Sequence, residues 1–127
     1  MSGADFLREL NELGYRPRDR GDGFIEFEYE IEVGPLVGRD VKLGWELPDD
    51  WPLTPPSGPR VSPRILPINP SGELGHPLGG VSEAPAFGPD WEYWSRPCRN
   101  WAQTDRNAAA YMAHIRRLFD TLPHDLA

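Results

Sequence analysis

The stretch FIEFEYEIEV, residues 24–33, indicates the fold class of this 127-residue chain. Its apolar residues alternate with four glutamates from Ile25 to Val33. A period of two places successive side chains on opposite faces of a β-strand. The stretch therefore predicts a half-buried antiparallel strand with one face in water. That acidic face consists of Glu26, Glu28, Glu30 and Glu32.

A second alternating stretch, RDVKLGWEL (residues 39–47), follows the turn-forming sequence GPLVG (34–38). Val41, Leu43 and Trp45 share one face of this stretch. Two alternating stretches joined by a short Gly/Pro loop predict a β-hairpin. We expect Lys42 to pair across the hairpin with one of the glutamates.

Amphipathic helices are predicted near both ends of the chain. Residues 4–13 (ADFLRELNEL) place Phe6, Leu7, Leu10 and Leu13 on one side of a helix, and Gly14 is its expected stop. Thr104 is the expected cap of the second helix. Apolar residues then recur at helical spacing before Pro123: Ala108, Tyr111, Met112, Ile115, Leu118, Phe119 and Leu122. Helix, antiparallel strands and helix together predict an α+β fold.

Residues 52–97 differ in composition from the rest of the chain, because they contain eleven of the fifteen prolines and frequent glycine. Only PRVSPRIL (59–66) predicts a short third strand. Segments of this length are usually functional or disordered. Interleaved apolar residues favour packing over disorder: Ile65, Leu66, Ile68, Phe87, Trp91, Tyr93 and Trp94.

Composition excludes several classes of protein. A net charge of −7 argues against nucleic-acid binding, because phosphates require a basic face. A single cysteine excludes an internal disulfide framework, and no Cys/His cluster has the spacing of a zinc site. No apolar run is long enough to span a membrane, and the N-terminus lacks the core of a signal peptide. We therefore expect a single cytoplasmic domain that binds no metal and no membrane.

The stretch WELPDDWPLTPPSGPRV (45–61) resembles a feature of ubiquitin-conjugating enzymes, in which the third strand runs into the pattern P-x-x-Y-P-x-x-P-P. Pro48, Trp51, Pro52, Pro55 and Pro56 occupy those places, with Trp51 standing where the family has tyrosine. The resemblance covers residues 5–122. It is closest to divergent bacterial conjugating enzymes encoded beside ubiquitin-like proteins, whose ends are similar to WEYWSR (91–96) leading into the last helix.

This resemblance implies a UBC-like fold over residues 1–127, with an N-terminal helix, an antiparallel β-meander, a long Pro-rich active-site segment and a C-terminal helix. It implies an acyltransferase that accepts a ubiquitin-like protein from an activating enzyme as a cysteine thioester and passes it to an amine of a target protein. No cofactor is implied. The family's first helix meets the activating enzyme, which here implies a contact rim of Phe6, Arg8, Glu9 and Glu12.

Cys98, the only cysteine, is the candidate nucleophile, because the family shares the order of cysteine, tryptophan and helix. Arg96 and Arg99 would stabilise its thiolate and lower its pKa. Trp94 and Trp101 are supporting active-site candidates, and Trp91 and Trp94 would shield a thioester from water. Trp91 would pack on Trp94 if the two lay on one helical turn.

The chain departs from the family around this cysteine. At the family's spacing after the double proline, residues 66–68 (LPI) replace the expected His-Pro-Asn triplet, and Gly75 falls near the cysteine position. His76 is followed by proline, but Leu78 stands where the oxyanion-stabilising asparagine belongs. His76 is a candidate active-site wall or base for the attacking amine. Asn69 and Asn100 are candidate substitutes for the asparagine.

Two non-enzymatic alternatives remain. Free cysteine is among the most buried residue types, so Cys98 is also a candidate packing residue. In the first alternative, the chain is an inactive UBC-like adaptor that binds a ubiquitin-like protein or the activating enzyme. In the second, it is an interaction domain of a related fold. A conjugating enzyme requires an accessible Cys98 with a lowered pKa, whereas an adaptor permits a buried, unreactive thiol.

Overall fold

The computed structural model describes residues 3–69 and 79–123 of the chain. These residues form two α-helices, six β-strands and a 3-10 turn at Trp101–Gln103. In chain order the elements are α1 (Gly3–Glu12), β1 (Arg18–Gly21), β2 (Phe24–Glu30), β3 (Asp40–Glu46), β4 (Arg60–Ser62), β5 (Val81–Glu83), β6 (Glu92–Trp94) and α2 (Ala108–Asp120). The predicted α+β class is confirmed.

The strands form one antiparallel sheet in the order β1-β2-β3-β4-β6-β5. The predicted hairpin is β2–β3, in which Phe27 lies opposite Leu43. The predicted third strand is β4, although it is only three residues long. Three strands were not predicted: β1 at one edge, and β5 and β6 inside the Pro-rich segment.

The main core lies on the face of the sheet that carries Phe27, Leu43 and Trp45, which are fully buried together with Phe6 of α1 and Tyr111 of α2. The Phe6 ring centre lies 6.5 Å from that of Trp45. Full burial of a side chain of this size contributes about 1.5–3 kcal/mol. Packing of the alternating strand residues against both helices therefore positions the elements around the candidate site.

The opposite face of the sheet is only partly left to water: Glu28, Glu30 and Glu32 are exposed as the alternation predicts, but other residues of this face are covered. A second cluster of Ala84, Phe87 and Trp91 packs there with Phe24 and Tyr93. This outer cluster covers Gly44 so closely that a Cβ atom there would lie 2.2 Å from Cε2 of Phe87. Glycine is therefore required at that point of β3.

Glu26 is the one exception to the predicted solvated acidic face. Its residue surface is only 8% exposed, and its carboxylate pairs with Arg18 and Arg20. The Lys42 ammonium also approaches it, with Nζ 4.0 Å from Oε2. The expected pairing of Lys42 with a glutamate is thus present, and one carboxylate serves three cations.

The helix ends agree with the sequence in part. Gly14 follows α1 with φ of +96°, the left-handed conformation expected at its stop. Thr104 is not the cap of α2, because Asn107 takes that role and its Oδ1 accepts a hydrogen bond of 2.8 Å from Ala110 N. Neither helix of the described ranges has the length and apolar character needed to cross a membrane.

Candidate functional site

A groove of about 300 Å³ separates two segments of the chain that meet beside α2. One wall comes from the Pro-rich loop before β4, and the other from β6 and the residues that follow it. We call it the Cys98 groove. Its lining residues are Pro55, Pro56, Ser57, Gly58, Tyr93, Ser95, Pro97 and Cys98.

The two walls are held together by close backbone contacts. Trp94 N donates a hydrogen bond of 3.0 Å across to Pro59 O, while the buried Tyr111 hydroxyl of α2 fixes the loop wall by donating one of 2.7 Å to Ser57 O. A Cβ atom on Gly58 would lie only 1.8 Å from Trp94 O. Gly58 therefore permits the approach that gives the groove its shape.

Cys98 lies at the groove but is almost enclosed, with 5% of its surface exposed. Its Sγ is 3.6 Å from Asn100 Oδ1, which accepts a weak hydrogen bond from the thiol. Burial raises the pKa of the Cys98 thiol, and the charge of Arg117 on α2 offsets this only in part. The thiol form is therefore favoured at neutral pH.

This result corrects the expected effect of the neighbouring arginines. Arg96 donates from Nη1 to Ser95 O at 3.0 Å, and burial lowers its own pKa. Arg99 is exposed. Neither lowers the pKa of the Cys98 thiol, because proximity in sequence does not direct these guanidinium groups at the sulfur.

Asn100 is the asparagine that the fold brings to the thiol. Asn69 instead forms an isolated β-bridge with Val81, through Asn69 N to Val81 O at 2.7 Å. Of the two proposed substitutes for the family's asparagine, only Asn100 contacts Cys98. In this arrangement its carbonyl oxygen, an acceptor, faces the sulfur.

The tryptophans near Cys98 have different structural roles. Trp101 donates from Nε1 to Pro52 O at 3.0 Å, and its ring centre lies 5.4 Å from that of Trp51. Trp94 is 1% exposed in the main core, whereas Trp91 belongs to the outer cluster. The expected Trp91–Trp94 pair is therefore wrong, because residues 92–94 form a strand and the two rings lie in different clusters.

The expected contact rim on α1 divides into buried and exposed residues. Phe6 is fully buried and cannot meet a partner. Glu9 accepts from Trp51 Nε1 at 2.7 Å through one oxygen and from Ala108 N at 3.0 Å through the other. Only Arg8 and Glu12 remain exposed, and they form an ion pair of 2.8 Å with each other.

The structure describes His114 but not the candidate base His76, which lies outside the described residues. The ring of His114 lies on α2, where Nε2 hydrogen-bonds with Arg96 O at 3.0 Å. Burial lowers the pKa of His114, as does the charge of Arg117. Among the described residues, no group of three or more His, Cys, Asp or Glu side chains could hold a metal ion.

The sequence did not single out Glu92, which is completely buried. Its Oε2 accepts from Leu66 N at 2.9 Å, from Ile65 N at 3.2 Å and from Trp94 Nε1 at 2.7 Å. The carboxylate thereby ties the segment after β4 to β6. The sequence carries no usable signal for this role, because β6 is only three residues long and its alternation cannot be recognised.

Comparison with known proteins finds no matching family model, no matching curated protein and no matching solved structure. The function is therefore inferred from the residues of the Cys98 groove and from the resemblance carried by residues 45–61.

Proposed function

We propose that the chain is a UBC-like domain that binds the carboxyl-terminal segment of a ubiquitin-like protein in the Cys98 groove without forming a thioester. The observation that carries this proposal is the state of Cys98, which lines the groove, is 5% exposed and has a raised thiol pKa. The proposed function is therefore the inactive adaptor, the alternative to the conjugating enzyme.

The architecture supports the UBC-like part of the proposal. The Pro-rich stretch that carries the resemblance follows a central strand, and its aromatic anchor Trp51 is fully buried. The Trp51 ring centre lies 4.6 Å from that of Phe6 on the first helix. An aromatic residue among prolines thus fixes the crossing from β3 to β4 against α1, the role we expect for the family's tyrosine.

The chemistry of the thiol supports binding rather than acyl transfer. The thiolate is the nucleophilic form of cysteine, and nucleophilic cysteines have lowered pKa values in partly exposed, electropositive surroundings. Cys98 has the opposite combination. A tetrahedral oxyanion would also require hydrogen-bond donors, whereas the Asn100 carbonyl oxygen faces the sulfur.

The conjugating enzyme is the second candidate function, favoured by one observation. Cys98 is the single thiol of the chain and, in the part of the chain that the structure describes, one of eight residues that line the groove. A small displacement of residues 97–100 would expose the sulfur to a bound carboxyl terminus. In that case a partner must open the site before the chemistry.

The deciding experiment combines the protein with ATP, an activating enzyme and a ubiquitin-like protein of the divergent bacterial kind that the resemblance implies. Wild type and Cys98→Ala are compared on non-reducing gels, and their affinities for the ubiquitin-like protein are measured by calorimetry. For a binding module we expect equal affinities and no conjugate. A band that thiol reductant removes and Cys98→Ala lacks would establish the enzyme instead. Absence of both binding and conjugate would refute both functions.

A further inference from the structure

We infer that Arg60, with Ser57 and Tyr93, forms a clamp for the free carboxylate at the end of the segment bound in the Cys98 groove. This inference rests on the proposed function and adds what the groove recognises: an uncharged, extended tail of small residues that ends in a charged carboxylate rather than in an ester or amide.

The position of Arg60 is the first support. Its Nη1 donates a hydrogen bond of 2.9 Å to Ser57 Oγ, and its Cζ lies 4.7 Å from the ring centre of Tyr93. Ser57 and Tyr93 line the two opposite walls of the groove. Arg60 is not itself among the lining residues, but its guanidinium group contacts one residue of each wall, a hydroxyl on one side and an aromatic face on the other.

The second support is that this cation has no carboxylate partner within ion-pair distance among the described residues. Other arginines of the same sheet are neutralised, as Arg18 and Arg20 are by Glu26. Glu46 is near enough to Arg60 to raise its pKa, but burial, the larger effect, lowers it. A half-buried guanidinium without a counterion is a receptor for an anion, and its planar fork matches a carboxylate.

The shape of the groove selects the rest of the ligand. A volume of about 300 Å³ is at the lower end for a ligand pocket and admits a short extended segment rather than a folded surface. The walls at Gly58 and the prolines offer few hydrogen-bond donors. We therefore expect small side chains along the tail, with the carboxylate supplying the main polar contact.

The test uses two acetyl-capped hexapeptides of alternating alanine and glycine, one with a free carboxylate and one with a carboxyl-terminal amide. Each is titrated into isotope-labelled protein and followed by NMR. For wild type we expect shifts at Ser57, Tyr93 and Cys98, with the amide binding about tenfold more weakly. Arg60→Gln should bind both peptides equally weakly, and Arg60→Lys should keep part of the preference.

Arg39→Gln is the matched control, because it removes the same charge from the exposed loop between β2 and β3 and should behave as wild type. Equal binding of both peptides to wild type would overturn the clamp and leave groove binding intact. A uniform loss of both in Arg60→Gln, with the preference retained, would also overturn it. If neither peptide shifts groove residues, the groove itself fails as a binding site and the proposed function falls with it.

Discussion

The carboxylate of Glu9 joins three separate parts of the chain. It bridges the Trp51 indole of the Pro-rich loop and the first backbone amide of α2 from its own place on α1. An acceptor at the N-terminus of a helix also satisfies an amide that has no partner within the helix. This residue, expected to meet a partner, is thus an internal connection.

We predict that Glu9→Ala lowers the free energy of unfolding by about 1–3 kcal/mol, because two donors lose their acceptor. Glu12→Ala on the same helix removes the same charge and only an exposed ion pair, so its effect should stay within about 0.5 kcal/mol. Urea denaturation of both variants measures the difference. Equal effects would mean that the two hydrogen bonds contribute no net stability.

His114 makes the free energy of unfolding depend on pH. Its pKa lies below the ordinary value of 6.5, because burial and then Arg117 disfavour the charged ring more than the Arg96 carbonyl favours it. A group with a lowered pKa in the folded state stabilises the fold above its unfolded pKa. That contribution is lost as pH falls through the folded-state pKa.

We therefore predict that the wild type loses more stability between pH 8 and pH 5 than His114→Gln does. The glutamine cannot be protonated in this range, and its side chain can still donate to the Arg96 carbonyl. Urea titrations of both proteins at several pH values give the comparison. Parallel curves for the two proteins would show that His114 does not couple to folding.

At the scale of elements, the sequence predicts those helices and strands in which apolar residues recur with a strong period. The β2–β3 hairpin and both helices follow from apolar residues that repeat over seven or more positions. β5 and β6 escape prediction because three residues, VSE and EYW, are too short to show alternation. β1 (RDRG) contains no apolar residue at all and is a strand only because it pairs with β2.

Some features of the candidate site could likewise be predicted from the sequence, and others could not. Its one thiol could be found from the sequence, and so could the role of the Pro-rich loop as one wall. The burial of Cys98 and the position of Arg60 depend on tertiary contacts between residues far apart in the chain. Arg96 and Arg99 show that neighbours in sequence do not reveal which charge acts on the sulfur.

Contact between the two groove walls gives a prediction at this scale. Gly58→Ala would drive a methyl group into Trp94 O, so the loop and β6 must separate. We predict a loss of more than about 2 kcal/mol of stability and weaker peptide binding. Gly3→Ala is the milder comparison, because its methyl group would lie 2.9 Å from Leu47 Cβ rather than 1.8 Å from a backbone oxygen, in a helix where alanine is favoured. Equal stability of both variants would contradict the close packing.

Over the whole molecule, the sheet carries a cluster of aromatic side chains on each face. The main core includes Trp45, Trp51, Trp94 and Trp101, and the outer cluster includes Trp91. The proximity of Cys98 to the main core couples its exposure to the integrity of the fold. Reaction of the thiol therefore requires either local opening of the groove or global unfolding.

We predict that iodoacetamide modifies Cys98 in the native protein at pH 7 at least on the order of a hundredfold more slowly than in the unfolded chain. The rate should rise with urea as the protein opens. Mass spectrometry at timed intervals gives the rate, and the protein in concentrated urea is the control. Native labelling as fast as in urea would show an accessible thiol and favour the conjugating enzyme.

The two edges of the sheet have a further consequence, for self-association. All four residues of β1 are exposed, but the strand carries Arg18, Asp19 and Arg20 and has an irregular register with β2. The opposite edge, β5, is three residues long, and Asn69 already bridges to it through Val81. Long, flat, uncharged edges are the ones that template cross-β growth. Charge at one edge and a short, partly covered strand at the other are both features that disfavour edge-to-edge aggregation.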